Sequence, residues 1–511
     1  MTGLGRVSSR STALSTLALV FSLVIAAEAG PGRSKSSKTP AEPKGVTRFS
    51  PDGGANKTIA DWIRRTDKTL DIAIYSISPE GPIMRALEDA VKRKVRIRMV
   101  LHKATSSNRE LAKIFAKAGI DVYGVGPTMH HKFAILDGKV LLNGSGNWST
   151  AADNRFNEGL MMLRSSPRLV SDFEEEFKRL LESARTISKT GKVGPEPKDR
   201  SEDPPGELKR GARVAFSSLN DGDETWVVAD EIIDAMKSAK TSIDIMVAHF
   251  NSERIAAALI KLRKDHPKRG KGALKIRVLL DRGEYDDKKS RAPELEKAGI
   301  DVRYKVYSLG FHFPRAQLMH HKAIIVDDER LVTGSYNWSD TAEHTNYENV
   351  VMLDAGRKTT VKSREAGLAE QAQIVRDFAR EFERLWELGR ENLAGFTAAV
   401  TSKKGKKGYR SVVPIHFDRR YFNTPMAMSR DELDPIMEVA RKAGLEGNES
   451  ESYLSKNTKR PLAFVRGKLI RKSKSKSSKG KDGKKDDKKA KDDKKDEPKK
   501  KRKKVKRPKS T

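Results

Sequence analysis

The chain contains no cysteine. Disulfide cross-links, thiolate metal centres and a thiol nucleophile are therefore excluded at the outset. Acidic residues are in short supply: 69 Asp and Glu stand against 102 Lys and Arg, a formal net charge of +33. Part of the excess sits at the end, where Arg471–Thr511 holds 22 basic and 7 acidic residues, but the rest of the chain is basic too. Such a surface favours polyanions, whether nucleic acid, anionic lipid headgroups or acidic polymers. Long apolar runs are scarce. Ala13 to Ala27 spans 15 residues, short of the roughly 20 that a membrane-spanning helix needs. Arg6 and Arg10 precede it and Ala27-Glu28-Ala29 follows, the pattern of an export signal with its cleavage site. Residues 1–29 are thus expected to be a signal peptide, and the mature protein to be secreted or periplasmic.

What the chain does have is a large internal repeat. "TLDIAIYSIS" ending at Ser78 returns as "SIDIMVAHFN" ending at Asn251. "KAGIDV" ends at Val122 and again, unchanged, at Val302. "DFEEEFKRL" from Asp172 returns as "DFAREFERL" from Asp377. The offset grows from 167 residues at Phe49 and Phe216 to 205 at Asp172 and Asp377, so the second copy has gained insertions. Each copy alternates β-branched apolar strands with helical patterns such as "MRALEDAVKRK". That alternation argues for an α/β sandwich with a mostly parallel central sheet flanked by helices. In "DFxxEFxRL" the two phenylalanines and the leucine fall at i, i+4 and i+7, one face of a closing helix.

The expected organisation is a linker at 30–45, repeat 1 at 46–186, a Pro/Gly/charge linker at 187–212 and repeat 2 at 213–391. A small appended region follows at 392–470. Residues 471–511 are a Lys/Asp/Ser tail of disordered composition.

The chemistry is concentrated in one string that occurs twice. "HHKFAILDGKVLLNGSGNWS" begins at His130 and "HHKAIIVDDERLVTGSYNWS" at His320. On a strand, residues two apart share a face. His130 therefore points with Lys132, and His320 with Lys322, while His131 and His321 point the other way and pack or bond on the far face. Asp137-Gly138 is a hairpin signal that returns the chain to Ser145 and Asn147; Ser335 and Asn337 are the second pair. Each copy thus gathers an imidazole, an ammonium, a hydroxyl and an amide at one sheet end. Those groups suit a phosphodiester, with donors for the nonbridging oxygens and imidazoles for nucleophile and acid. Glu158 and Glu348 lie 11 residues after the motif asparagines, where a carboxylate is expected to hold the other ring nitrogen of its own copy's histidine. Trp148 and Trp338 read as packing residues.

His-x-Lys-x4-Asp-x6-Gly-Ser-x-Asn, present twice, resembles the phospholipase D superfamily, over about Val46 to Glu391. The resemblance implies two fused α/β halves with one active site at their pseudo-twofold interface, an internal pseudo-dimer within a monomer. It implies a ping-pong reaction through phosphohistidine with no metal or other cofactor. By analogy His130 is the nucleophile and His320 the general acid. Asp137 and Asp327 complete the motif's catalytic set, although in the family they are more structural than catalytic.

The motif does not select the diester. Export and a basic surface favour a phospholipase D-like hydrolase acting at an anionic membrane, with transphosphatidylation when an alcohol replaces water. The alternative is an exported nuclease cleaving DNA or RNA, and a third reading is non-catalytic polyanion binding. Ten extra residues precede His320 relative to His130 and include Phe311 and Phe313. That loop is expected to overhang one half of the site, inserting into acyl chains or stacking on a base.

Overall fold

The computed structural model describes residues 45–51, 53–102, 106–126, 128–187, 212–217, 225–267, 270, 272–306, 318–355, 362–390 and 425–434. The expected signal peptide, the tail, almost all of both linkers, most of the appended region and the loop carrying Phe311 and Phe313 lie outside these residues.

Repeat 1 supplies β1 (Thr47–Ser50), β2 (Thr69–Ile74), β3 (Arg96–His102), β4 (Asp121–Val125), β5 (Thr128–Met129), β6 (Lys132–Leu136), β7 (Val140–Gly144), β8 (Glu158–Leu163) and β9 (Arg185–Thr186). Repeat 2 supplies β10 (Arg213–Phe216), β11 (Ser242–Val247), β12 (Lys275–Asp281), β13 (Asp301–Val306), β14 (Lys322–Val326), β15 (Arg330–Gly334), β16 (Asn346–Tyr347) and β17 (Asn349–Asp354), with β18 (Met426–Met428) from the appended region. The two large sheets have matching orders, β1-β8-β7-β6-β2-β3-β4-β9 and β10-β17-β15-β14-β11-β12-β13-β18. β18 lies antiparallel at the edge beside β13.

The sheets are mixed. β2, β3 and β4 pair in parallel, as do β11, β12 and β13. The remaining pairings within both sheets are antiparallel. A mostly parallel sheet is therefore found only in the strand–helix–strand part of each repeat. The motif strands return through tight turns, and a short turn can join only antiparallel neighbours. At the first of these turns Asp137 and Gly138 adopt φ of 52° and 63°, the left-handed pair that a two-residue hairpin requires.

One core holds the halves together. Phe133, Met161 and Phe173 from repeat 1 share a cluster with Phe216, Met246, Ile325 and Phe378 from repeat 2. The closing helices Pro167–Glu182 and Lys362–Trp386 bury the expected stripe: Phe173, Phe177 and Leu180 in one, Phe378, Phe382 and Leu385 in the other, none more than 1% exposed. Each helix reaches across to the opposite half. Thr47 donates to Asp377 at 2.6 Å, and a Cβ added at Gly159 would lie 2.7 Å from the Phe378 ring. Full burial of an aromatic or aliphatic side chain contributes about 1.5–3 kcal/mol, so the interface is a core cut between two repeats. No helix among the described residues is long and apolar enough to cross a membrane.

Candidate active site

The segment before each motif histidine crosses to the other repeat. β5 runs parallel to β16 with Met129 opposite Tyr347, and the His130 N–H donates to the Tyr347 carbonyl at 3.0 Å. One residue further on, His130 and Glu348 stand side by side, with Nδ1 2.7 Å from Oε1. The mirror arrangement uses a parallel bridge between Asn157 and Met319 and a His320 N–H bond to the Asn157 carbonyl at 2.9 Å. His320 Nδ1 then lies 2.7 Å from Glu158 Oε1. Each glutamate thus serves the histidine of the opposite repeat, not its own as expected. The physical reason is this backbone exchange, which the linear spacing of either copy does not contain.

A carboxylate on Nδ1 selects the tautomer that leaves the Nε2 lone pair free, the form a nucleophile needs. Burial pushes both imidazoles down to about 4; the facing glutamate pulls upward and the nearby lysines add repulsion. Burial thus favours the neutral form of both rings. Burial would raise the two glutamates, but the histidines they bind and the lysines outweigh it and hold both carboxyls below their ordinary value. The lysine ammoniums are 1% exposed. Lys132 donates to the His130 carbonyl at 2.5 Å and Lys322 to that of His320 at 2.8 Å. Burial lowers Lys132 to about 7 and Lys322 to about 8, with Glu348 and Glu158 opposing the fall.

The other motif residues divide in two. The Ser145 hydroxyl donates to Glu158 Oε2 at 2.7 Å and accepts the Gly159 N–H at 3.1 Å. Ser335 accepts the Asn349 N–H at 3.0 Å and lies against Glu348, helping to hold it ionised. The serines therefore support the carboxylates. The Oδ1 atoms of Asn147 and Asn337 are buried acceptors with no hydrogen-bond partner among the described residues. Asn147, Lys132 and Glu158 share the wall of a small cavity of about 20 Å³. Trp148 and Trp338 are each 2% exposed and pack against the strand ends.

Asp137 and Asp327 do not join this group. They sit in the turns at the far end of the motif strands. Asp137 accepts backbone N–H bonds from Asp67, Lys68 and Thr69 at 2.7–2.9 Å. Asp327 does the same for Lys240, Thr241 and Ser242 at 2.7–3.2 Å. Their place in the catalytic set is corrected accordingly: their bonds go to the backbone leading into β2 and β11 and, for Asp327, also to the Thr241 hydroxyl at 2.7 Å, so they fix register at the end of the motif strands away from the histidines.

His131 and His321 face the interior. His131 Nε2 lies 2.9 Å from Glu176 Oε1 and its Nδ1 2.9 Å from the Asn349 amide nitrogen of the other repeat. His321 Nε2 stands 3.6 Å from Glu381 Oε1. Sequence reasoning missed Glu176 and Glu381, although the signal was present: both occupy the Glu before the second Phe of "DFxxEF", a charge on the buried side of a closing helix. It also missed Tyr75 and His102. Tyr75 stacks on His102 at 5.1 Å, meets the His130 ring edge-on at 5.0 Å and lies 5.3 Å from Lys132 Nζ.

The family described as "Cardiolipin synthase, PLD-like domain" matches residues 59–181 and 232–386. Over 156 residues the chain is 32% identical to the mitochondrial cardiolipin hydrolase of Danio rerio, covering 30% of this chain and 56% of that one. Over 123 residues it is 31% identical to a phospholipase D of Rickettsia prowazekii (strain Madrid E), covering 24% and 53%. The chain spans about half the length of the curated relatives it matches. The solved structure of Nuc from Salmonella typhimurium, a phospholipase D family member, aligns at 22% identity and a TM-score of 0.26, covering 34% of this chain and 93% of that one.

Proposed function

The chain belongs to the phospholipase D superfamily, and from that premise we propose that it is an exported phosphodiesterase that hydrolyses a phospholipid headgroup diester through a phosphohistidine. The observation that carries this reading is the crossed pair of imidazoles, His130 on Glu348 and His320 on Glu158, each at 2.7 Å. Two oriented rings with free Nε2 atoms, flanked by two buried ammoniums, are the parts an in-line double displacement needs.

In the first step Nε2 of His130 attacks phosphorus, forming a P–N bond as the P–O bond to the leaving group breaks. His320 gives its Nε2 proton to the departing oxygen. Lys132, Lys322, Asn147 and Asn337 hold the nonbridging oxygens, where charge accumulates. In the second step His320 takes a proton from water, whose oxygen attacks phosphorus, and the P–N electron pair returns to His130. The acid must be protonated although burial favours its neutral form. An arriving diester anion offsets both the burial and the lysine repulsion that hold the ring down, so His320 takes up its proton as substrate binds.

The names of the relatives point to lipid, and the Arg471–Thr511 surplus of basic residues suits an anionic membrane surface. The test is hydrolysis by the purified mature protein, in EDTA, of phosphatidylcholine and cardiolipin vesicles and of single-stranded DNA in parallel. Release of phosphatidic acid, with an acid-labile phosphoryl group trapped on His130, is the expected result. Cleavage of DNA alone would replace the lipid reading with the nuclease, and activity restored only by a divalent cation would overturn the metal-free mechanism. Mass spectrometry of protein recovered from the periplasm or medium is expected to find a chain beginning at Gly30.

A further inference from the structure

Each motif opens with two histidines, and the mechanism uses only the first of each pair. Consecutive residues of an extended chain present their side chains to opposite faces. The segments that meet at His130 and Glu348 therefore offer a second contact, one residue on and on the core face. It is made: the Asn349 amide donates to His131 Nδ1 at 2.9 Å. Both members are held in turn. His131 is fully buried, its Nε2 lies 2.9 Å from Glu176 Oε1, and Glu176 also pairs with Arg179. The Asn349 N–H donates to the Ser335 hydroxyl and the Ser335 N–H to the Asn349 carbonyl, both at 3.0 Å.

The other histidine pair has no such contact. The offset of 190 that relates Glu158 to Glu348 puts Gly159 at the position of Asn349, and glycine has no side chain to offer His321. The Phe378 ring lies against that glycine, 2.7 Å from where a Cβ would stand. Neither ring nitrogen of His321 has a hydrogen-bond partner among the described residues. The two catalytic pairs share the same 2.7 Å imidazole–carboxylate contact, so they differ in this added pin. One hydrogen bond between two segments leaves them free to pivot about it. A second, on the opposite face, removes the pivot. A nucleophile must meet phosphorus along one line, and attack is sensitive to small displacements. A general acid and base serves the leaving oxygen and then water, at two places.

We propose that His131 and Asn349 are positioning residues, a second pin between the repeats that fixes the His130–Glu348 pair for attack on phosphorus. The proposal rests on the phosphohistidine reading above and deepens it, giving a structural basis for unlike roles in two halves with the same reagents.

The experiment uses the full chain and bis(4-nitrophenyl) phosphate, whose leaving group departs as nitrophenolate without a proton. The stopped-flow burst of nitrophenolate therefore times attack by His130 apart from proton transfer by His320. The steady rate that follows times breakdown of the phosphohistidine. In Asn349→Ala the burst is expected to slow about tenfold, the scale of a small misplacement of a reacting group, with breakdown unchanged. Asn349→Gly, which installs the repeat 1 residue, is a second truncation expected to match it. His131→Asn keeps a side-chain oxygen near the place of Nδ1 to accept the Asn349 amide, and is expected to retain most of the burst rate. An unchanged burst in the Asn349 variants, or equal slowing of burst and breakdown, overturns the inference and leaves the phosphohistidine reading standing. A burst lost alike in His131→Asn and Asn349→Ala would mark a packing role and overturn it too. Wild-type protein that turns over the diester with no phosphoryl group trapped on His130 overturns both.

Discussion

The two halves carry the same reagents on different walls. In repeat 1 the histidine rests against Tyr75, itself stacked on His102. At the equivalent positions repeat 2 has Ala248 and Asp281. Asp281 is buried and accepts the Met319 N–H at 2.7 Å and the Gly283 N–H at 2.8 Å, fixing the segment that leads into His320. A second contrast lies behind the lysines. Repeat 1 has Gly146 among the residues lining its small cavity; repeat 2 has Tyr336, fully buried, at the same motif position. A phosphodiester has two unlike substituents, so a site with twofold reagents must tell its two sides apart by what surrounds them. The Tyr75–His102 wall and the Gly146–Tyr336 exchange are two places where those surroundings differ.

The largest expected effect tests whether the halves make one site. His130→Ala and His320→Ala are each expected to reduce kcat by about four orders of magnitude, as removal of one member of a cooperating set does. The double variant should be no slower. Half the activity surviving in each single variant would show two independent sites.

Next comes the space that distinguishes the two motif strands. Tyr336→Gly removes a buried ring from repeat 2 and is expected to cost about 3–5 kcal/mol of stability, as large-to-small core changes do. Urea denaturation measures it. The reciprocal Gly146→Tyr is expected to close the cavity beside Lys132 and Glu158 and to slow turnover, since even a Cβ there lies 3.2 Å from Glu158 Cβ. Equal stability in Tyr336→Gly would mean that the second half collapses to fill the space.

The crossed carboxylates offer a sharper comparison at about a hundredfold. Glu348→Gln and Glu158→Gln each remove the charge that orients a ring of the other repeat. If His130 is the nucleophile, Glu348→Gln should suppress formation of the phosphohistidine in a rapid-quench experiment. Glu158→Gln should let it form and persist. The opposite pattern would assign the nucleophile to His320.

The smallest effect is the pH response. A lysine is charged below its pKa, and burial has brought Lys132 to about 7 and Lys322 to about 8. Above those values the site loses its ammoniums, so kcat/KM is expected to decline as pH rises through 7 to 8. A profile flat to pH 10 would show that the lysines stay charged.

Much of the fold was legible in the sequence because local periodicity was strong. The closing-helix stripe of Phe173, Phe177 and Leu180 follows from 3.6-residue spacing, and Asp137-Gly138 carried its own turn geometry. The parallel pairing expected from strand–helix alternation is present at β2-β3-β4 and β11-β12-β13, whereas strand direction on the motif side depends on hairpin returns. Tyr75 and His102 were invisible as neighbours of His130, since nothing in a run of strand residues says which side chain bends toward the strand ends.

The sequence by itself determined the reagents: a duplicated histidine, lysine, serine and asparagine on strands whose alternation points each His with its Lys. The pairing was decided only in three dimensions. Glu158 is 28 residues from His130 and 162 from His320, yet it binds the latter. The Met129–Tyr347 and Asn157–Met319 pairings bring each histidine to the opposite repeat's carboxylate. A chain's linear order carries no information about such an exchange, because backbone hydrogen bonds between distant segments form only when the two cores pack together.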